Sequence, residues 1–124
     1  METNLNNGLY PTDVFLISCG MGCKRIKVSD IAYIEAMRDN CVIHMNDGVE
    51  HMLSCPMCDI EFQLNPAQFM RIHRSFVVNV SYIGTYWYGY VSLIDGKEVN
   101  IGDTYREPLK NSLVFWGTRN RIKL

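Results

Sequence analysis

The sequence has no apolar run long enough to cross a bilayer, and Met1-Glu2-Thr3-Asn4 lacks the charged and apolar regions of a secretory signal. A cytoplasmic location is the default expectation. Five cysteines, at 19, 23, 41, 55 and 58, are an odd number and do not form a secreted disulfide framework. Also missing are a glycine-rich phosphate loop, a His-Glu-x-x-His pair and a paired-carboxylate signature. His44, His51 and His73 could be set beside Cys41, but no local motif links a nucleophile, a base and an orienting acid. These absences point away from an enzyme. No cofactor is implied.

A surplus of one charge is missing too. Twelve basic residues against thirteen acidic ones give a net −1, whereas a DNA-binding domain is often clearly basic. The distribution is uneven. Residues 1–105 hold seven basic and twelve acidic side chains, and residues 106–124 hold five and one. Any positive face must draw on the C-terminal end, helped by Lys24, Arg25, Lys27, Arg71 and Arg74.

What is present reads as a single domain with enough length for a core: 124 residues, 48% apolar and 20% charged. Residues 1–12 are polar and read as a flexible arm, leaving 13–124 as the domain. Val14 to Ile17 and Cys23 to Val28 read as strands around a turn at Gly20-Met21-Gly22. Ala32 to Ala36 and Val42 to Met45 follow, either side of the polar tip Arg38-Asp39-Asn40. Asn46-Asp47-Gly48 is a hairpin turn into Val49 to Leu53, because Asp-Gly tolerates the positive φ such turns need. A helix is expected after Ser54 as cap, with Cys55, Cys58 and Phe62 on one apolar face and Asn65-Pro66 ending it. Met70 to Val78 reads as strand, Asn79-Val80-Ser81 as one helical turn, Thr85 to Leu93 as aromatic-rich strand, and Asp95-Gly96 as a turn into Lys97 to Ile101. Thr104 and Glu107 have the spacing of a capping box for a last helix reaching about Leu113. Many short strands with turn signals mean a mainly β domain of antiparallel sheets with two short helices.

Cys19, Cys23, Cys55 and Cys58 could supply four thiolates to zinc. The helix face already accounts for Cys55 and Cys58, and buried cysteine behaves as a small hydrophobe, so no metal site is assigned.

The most informative stretch is Phe69 to Asn79. It sets His73-Arg74-Ser75 between apolar pairs, and burial explains the apolar pairs but not the triplet. Together with the strand Ile34-Glu35-Ala36, the tip Arg38-Asp39-Asn40 and the segment Tyr105-Arg106-Glu107-Pro108-Leu109, it resembles the LytTR-type DNA-binding domain of bacterial transcription regulators. The resemblance runs from about Asp13 to about Leu113. It implies an elongated sandwich of short antiparallel sheets that binds double-stranded DNA through loops at a sheet edge, as a response-regulator output domain does.

Carried over, the resemblance implies three contact regions. The first is the tip Arg38-Asp39-Asn40 with Cys41, from which Arg38 and Asn40 are the candidates. The second is His73, Arg74 and Ser75. The third is the turn before the last helix, where the family commonly shows Ser and one or two Arg and this chain has Gly102-Asp103-Thr104. There the candidates are Thr104, with Arg106 and Lys110 offsetting the acid. Glu35 and Asn79 are expected to be structural. Many relatives carry an N-terminal receiver; here only a dozen polar residues precede the first strand, so a stand-alone regulator is expected. A homodimer on repeated half-sites and a regulatory protein are the other partners considered. The rival reading is a relative deficient in DNA binding that acts through another regulator, helped by the aromatic patch Val114-Phe115-Trp116-Gly117.

Overall fold

Alternation along one strand sets the centre of the fold. In β3 (Ile31–Met37), Ile34 and Ala36 pack into one core and Tyr33 into another on the opposite face. Ile31 joins Ile34 in the first core because the pairing slips by a residue between Ile31 and Tyr33. The computed structural model describes residues 13–117, so the arm expected over 1–12 lies outside the described residues, as do the cations at 119, 121 and 123.

Ten strands occur among the described residues, and all their pairings are antiparallel. β1 (Val14–Cys19) and β2 (Gly22–Lys27) form a hairpin of their own. Flanking β3 are β4 (Asn40–Met45), β5 (Glu50–Leu53), β6 (Phe69–His73) and β7 (Phe76–Asn79), in the order β5-β4-β3-β7-β6. β8 (Ile83–Tyr86), β9 (Tyr90–Leu93) and β10 (Glu98–Asn100) make a third sheet. The described residues also hold two short α-helices, α1 (Met57–Glu61) and α2 (Arg106–Ser112).

Each face of the five-stranded sheet is covered. On one side Ile17 and Ile26 of the hairpin, with Met57 and Leu64, close over Ile34, Ile43, Phe69 and Val77. On the other, Val91, Leu93, Val99 and Leu109 close over Tyr33, Ile72 and Val78. Fully burying each aliphatic side chain is worth about 1.5–3 kcal/mol, so this layering fixes the register of the central strands. The Asp-Gly turns form as expected: Gly48 and Gly96 have φ of 91° and 94°. Asp47 and Asp95 each accept from the backbone N–H two residues on, both at 3.0 Å.

Several expectations need correction. Met70 to Val78 is two strands, β6 and β7, around a turn at Arg74-Ser75. Thr85 to Leu93 is likewise two, parted by Trp87-Tyr88-Gly89. The capping box is absent: Tyr105 stands at the N-cap without a side-chain bond, and Glu107 pairs with Lys110 at 3.1 Å. Ser54 does not cap α1, which starts after Pro56. That helix is five residues long, too short for a face reaching Phe62, which is exposed along with Cys58. Met57, Ile60 and Leu64 cover the core there, with Cys55 half-buried beside them. Among the described residues no three His, Cys, Asp or Glu side chains are grouped to hold a metal ion. No helix there is long and apolar enough to cross a membrane.

Candidate nucleic-acid interface

Three turns come together at one end of the five-stranded sheet, and backbone hydrogen bonds set their spacing. Met37 pairs with Asn40 across a two-residue turn, Arg38-Asp39. Next to it, the Ala36 N–H donates to the Ser75 carbonyl at 2.8 Å, which brings the β6–β7 turn alongside. On the far side of that turn the Gly102 N–H donates to the Ile72 carbonyl, also at 2.8 Å, and brings in the turn that precedes α2. The approach is close: a Cβ on Gly102 would meet the Tyr105 ring at 3.1 Å and His73 Cα at 3.7 Å.

The first turn is strained. Arg38 has a φ of 61°, the left-handed region that costs an L-residue with a side chain roughly 1–2 kcal/mol. Its side chain is exposed, and Asn40 is half-buried at the start of β4. Cys41 does not belong to the tip. It is fully buried, and burial pushes its thiol up to about 12, an inert core sulfhydryl. Behind the tip, His44 lies between Glu35 at 3.1 Å and Glu50 at 3.4 Å and stacks on Tyr33 with ring centroids 4.1 Å apart. Glu35 thus has the structural role expected of it.

The second turn is held from beneath. Arg71 donates from Nε to the His73 carbonyl at 3.0 Å, from Nη2 to the Arg74 carbonyl at 2.6 Å, and from Nη1 to Glu61 at the end of α1. His73 Nδ1 accepts from the Ser75 N–H at 3.1 Å, and its ring packs against Phe76. In the neutral ring the proton is then on Nε2, a donor that this bond does not use. Arg74 is exposed, and its side chain enters no hydrogen bond or ion pair among the described residues. A guanidinium on a turn whose carbonyls are clamped by another guanidinium is presented at low entropic cost.

Sequence reasoning took Arg71 for part of a positive face and missed this clamp. Its signal was the alternation Phe69-x-Arg71: sharing a face with a buried phenylalanine, Arg71 needs fixed partners. Arg71→Ala is expected to lower unfolding stability by about 2–3 kcal/mol in urea titrations, since charge-assisted bonds are lost and two turn carbonyls lose their donor. Arg71→Lys should recover only part of that, because an ammonium cannot fork to three acceptors in one plane.

The third turn, Gly102 to Thr104, leads into α2. Thr104 is exposed. Arg106 lies 3.6 Å from Asp103 with its guanidinium over the Tyr88 ring, 5.5 Å from the centroid. Tyr88 is the second side chain missed, because the β8–β9 turn that brings it there was read as strand. Arg106 and Lys110 line a shallow cleft with Tyr86, Tyr88 and Glu107. Burial raises the Tyr86 hydroxyl above its ordinary range, against the pull of Lys110 and Arg106, so it stays a neutral donor. Phe115 packs edge-on against Tyr86 at 4.9 Å, while Val114 and Trp116 are exposed.

The family model described as the LytTr DNA-binding domain matches residues 22–114, most of the chain. The chain belongs to this family. The LytTr domain of a methyl-accepting/DNA response regulator from Bacillus cereus has the same fold, with a TM-score of 0.71 at 22% identity, covering 84% of this chain and 99% of that one. By sequence the chain is similar to the transcriptional regulatory protein LytR of Staphylococcus aureus. It is 35% identical over 63 residues to that of strain MW2 and 33% to that of strain NCTC 8325. Each match covers 47% of this chain and 26% of the relative, so the chain matches about a quarter of the length of these relatives.

Proposed function

We propose that residues 13–124 act as one sequence-specific DNA-binding unit of a cytoplasmic transcription regulator, contacting double-stranded DNA through the three turns rather than a recognition helix. The observation that carries this reading is the alignment of the turns by the Ala36–Ser75 and Gly102–Ile72 backbone hydrogen bonds. It supports the reading because the turns that carry Arg38, Arg74 and Thr104 lie at one end of the sheet. Membership in a family of DNA-binding domains supports it.

In this reading Arg74 reaches a guanine edge or a phosphate, and His73 and Ser75 donate beside it. Arg38 and Asn40 contact the backbone and a base from the neighbouring tip. Thr104, Arg106 and Lys110 extend the contact along the start of α2. Two copies would then occupy repeated half-sites as a homodimer. The reading involves no catalysis.

Selection of bound fragments from a random DNA pool at two salt concentrations tests it. A defined half-site should be enriched at both, with affinity falling steeply as salt rises. Recovery of unrelated fragments, or of none, would count against it. That result would favour a relative that acts by binding another regulator, a reading supported by the exposed carboxylate of Asp103 and the exposed Val114 and Trp116.

A further inference from the structure

An isolated carboxylate does not belong on a surface meant for phosphates, yet Asp103 is the most exposed charge at the third turn, with its side chain 94% accessible. It is not isolated. The Arg106 guanidinium stands 3.6 Å away and is held over the Tyr88 ring. Arg106 Nε is buried with no hydrogen-bond partner, so the donors this group can offer to a ligand are its terminal nitrogens, one of which faces Asp103. Through the Gly102–Ile72 bond this acid–guanidinium pair adjoins the His73–Ser75 turn.

We propose that Asp103 and Arg106 act as a unit that reads a single C·G base pair in the major groove, a proposal that rests on the DNA-binding reading above. The chemistry of the base edge selects that pair. Cytosine presents the N4 amino donor, and its guanine partner presents two adjacent acceptors, O6 and N7. A carboxylate accepts from N4, and a guanidinium donates to O6 and N7 in the forked geometry it prefers. N4 and O6 are themselves hydrogen-bonded neighbours roughly 2.9 Å apart, and the Asp103 and Arg106 groups, 3.6 Å apart, are near enough to face one each. An A·T pair offers an amino donor with an acceptor on either side and no two adjacent acceptors, so it matches the pair less well. Arg106 also offsets the repulsion between Asp103 and neighbouring phosphates.

The test compares half-sites enriched from a random pool by the unchanged protein, by Asp103→Ala and by Asp103→Asn, with thermal melts confirming that all three fold. The unchanged protein should enrich a half-site with one fixed C·G pair. Asp103→Ala should lose preference at that pair alone, by about tenfold or more in the ratio of dissociation constants. Asp103→Asn should shift the position towards adenine, which an amide can contact at both N6 and N7. If Asp103→Ala instead raises affinity for all sequences by one factor, the acid only repels phosphate and the proposal fails. It also fails if the enriched half-site is the same in all three proteins, while the DNA-binding reading stands. An unchanged protein that enriches nothing sinks both.

Discussion

Asn79→Ala is expected to remove about 2–4 kcal/mol of unfolding stability, visible as a lower urea midpoint with an unchanged slope. Asn79 is the only buried polar residue among those described, and every part of its amide is used. Its oxygen accepts from the Ser81 N–H at 3.0 Å and from Gln68 Nε2 at 2.6 Å. Its nitrogen donates to the Ile31 carbonyl at 2.9 Å. The amide thus joins the end of β7 to the start of β3 and caps the helical turn that follows. Alanine would leave a buried carbonyl and an N–H without partners, each costing about 1–3 kcal/mol. Asn79→Asp should be no milder, because a carboxylate oxygen would then face the Ile31 carbonyl. A loss below about half a kcal/mol in either variant would show that water replaces these bonds and that the amide is dispensable.

Arg74→Ala should have the opposite signature, a large loss of DNA affinity with little change in melting temperature. Its side chain is exposed and enters no hydrogen bond or ion pair among the described residues, so folding loses no contact there. Reading a guanine edge, it should contribute about 1–3 kcal/mol to the chosen half-site and much less to other sequences. Contacting a phosphate, it should weaken all sequences alike and flatten the salt dependence by about 0.9 in log–log slope. Titrations of specific and scrambled duplexes at two salt concentrations separate these outcomes. Unfolding of the variant, with affinity per folded molecule unchanged, would make Arg74 a structural residue and favour the protein-partner reading.

The sheet strands were legible because their signals are local. Alternation along 23–28 and the Asp-Gly turns at 47–48 and 95–96 each depend on neighbours within a few residues. The capping role of Asn79 was legible for the same reason. What failed depended on distant partners. The turn at Arg74-Ser75 interrupts a run that reads as one strand, and it does so because Arg71 and the His73 ring take up its backbone groups. Cys41 sits beside a polar tip in sequence but on the inward face of β4 in space. Cys58 and Phe62 lost their expected burial because α1 ends after five residues, before a helical period can repeat. Arg106 was marked as a candidate from the family pattern, yet its stacking on Tyr88 needed the β8–β9 turn, which aromatic-rich composition concealed.

The turns at the sheet end are joined to one another by main-chain donors and acceptors, Ala36 to Ser75 and Gly102 to Ile72. Main-chain groups are the same whichever side chain is attached. On the proposed reading, substitutions at Arg38, Arg74, Asp103 or Thr104 therefore alter the surface offered to DNA without removing the main-chain bonds that join the turns. Such a scaffold separates vocabulary from grammar: one spacing of contacts can be kept while the bases read at each contact diverge. If the turns read DNA as proposed, a lineage carrying this domain could reach a new promoter through single exposed substitutions, with the half-buried clamp of Arg71 and the buried amide of Asn79 left in place.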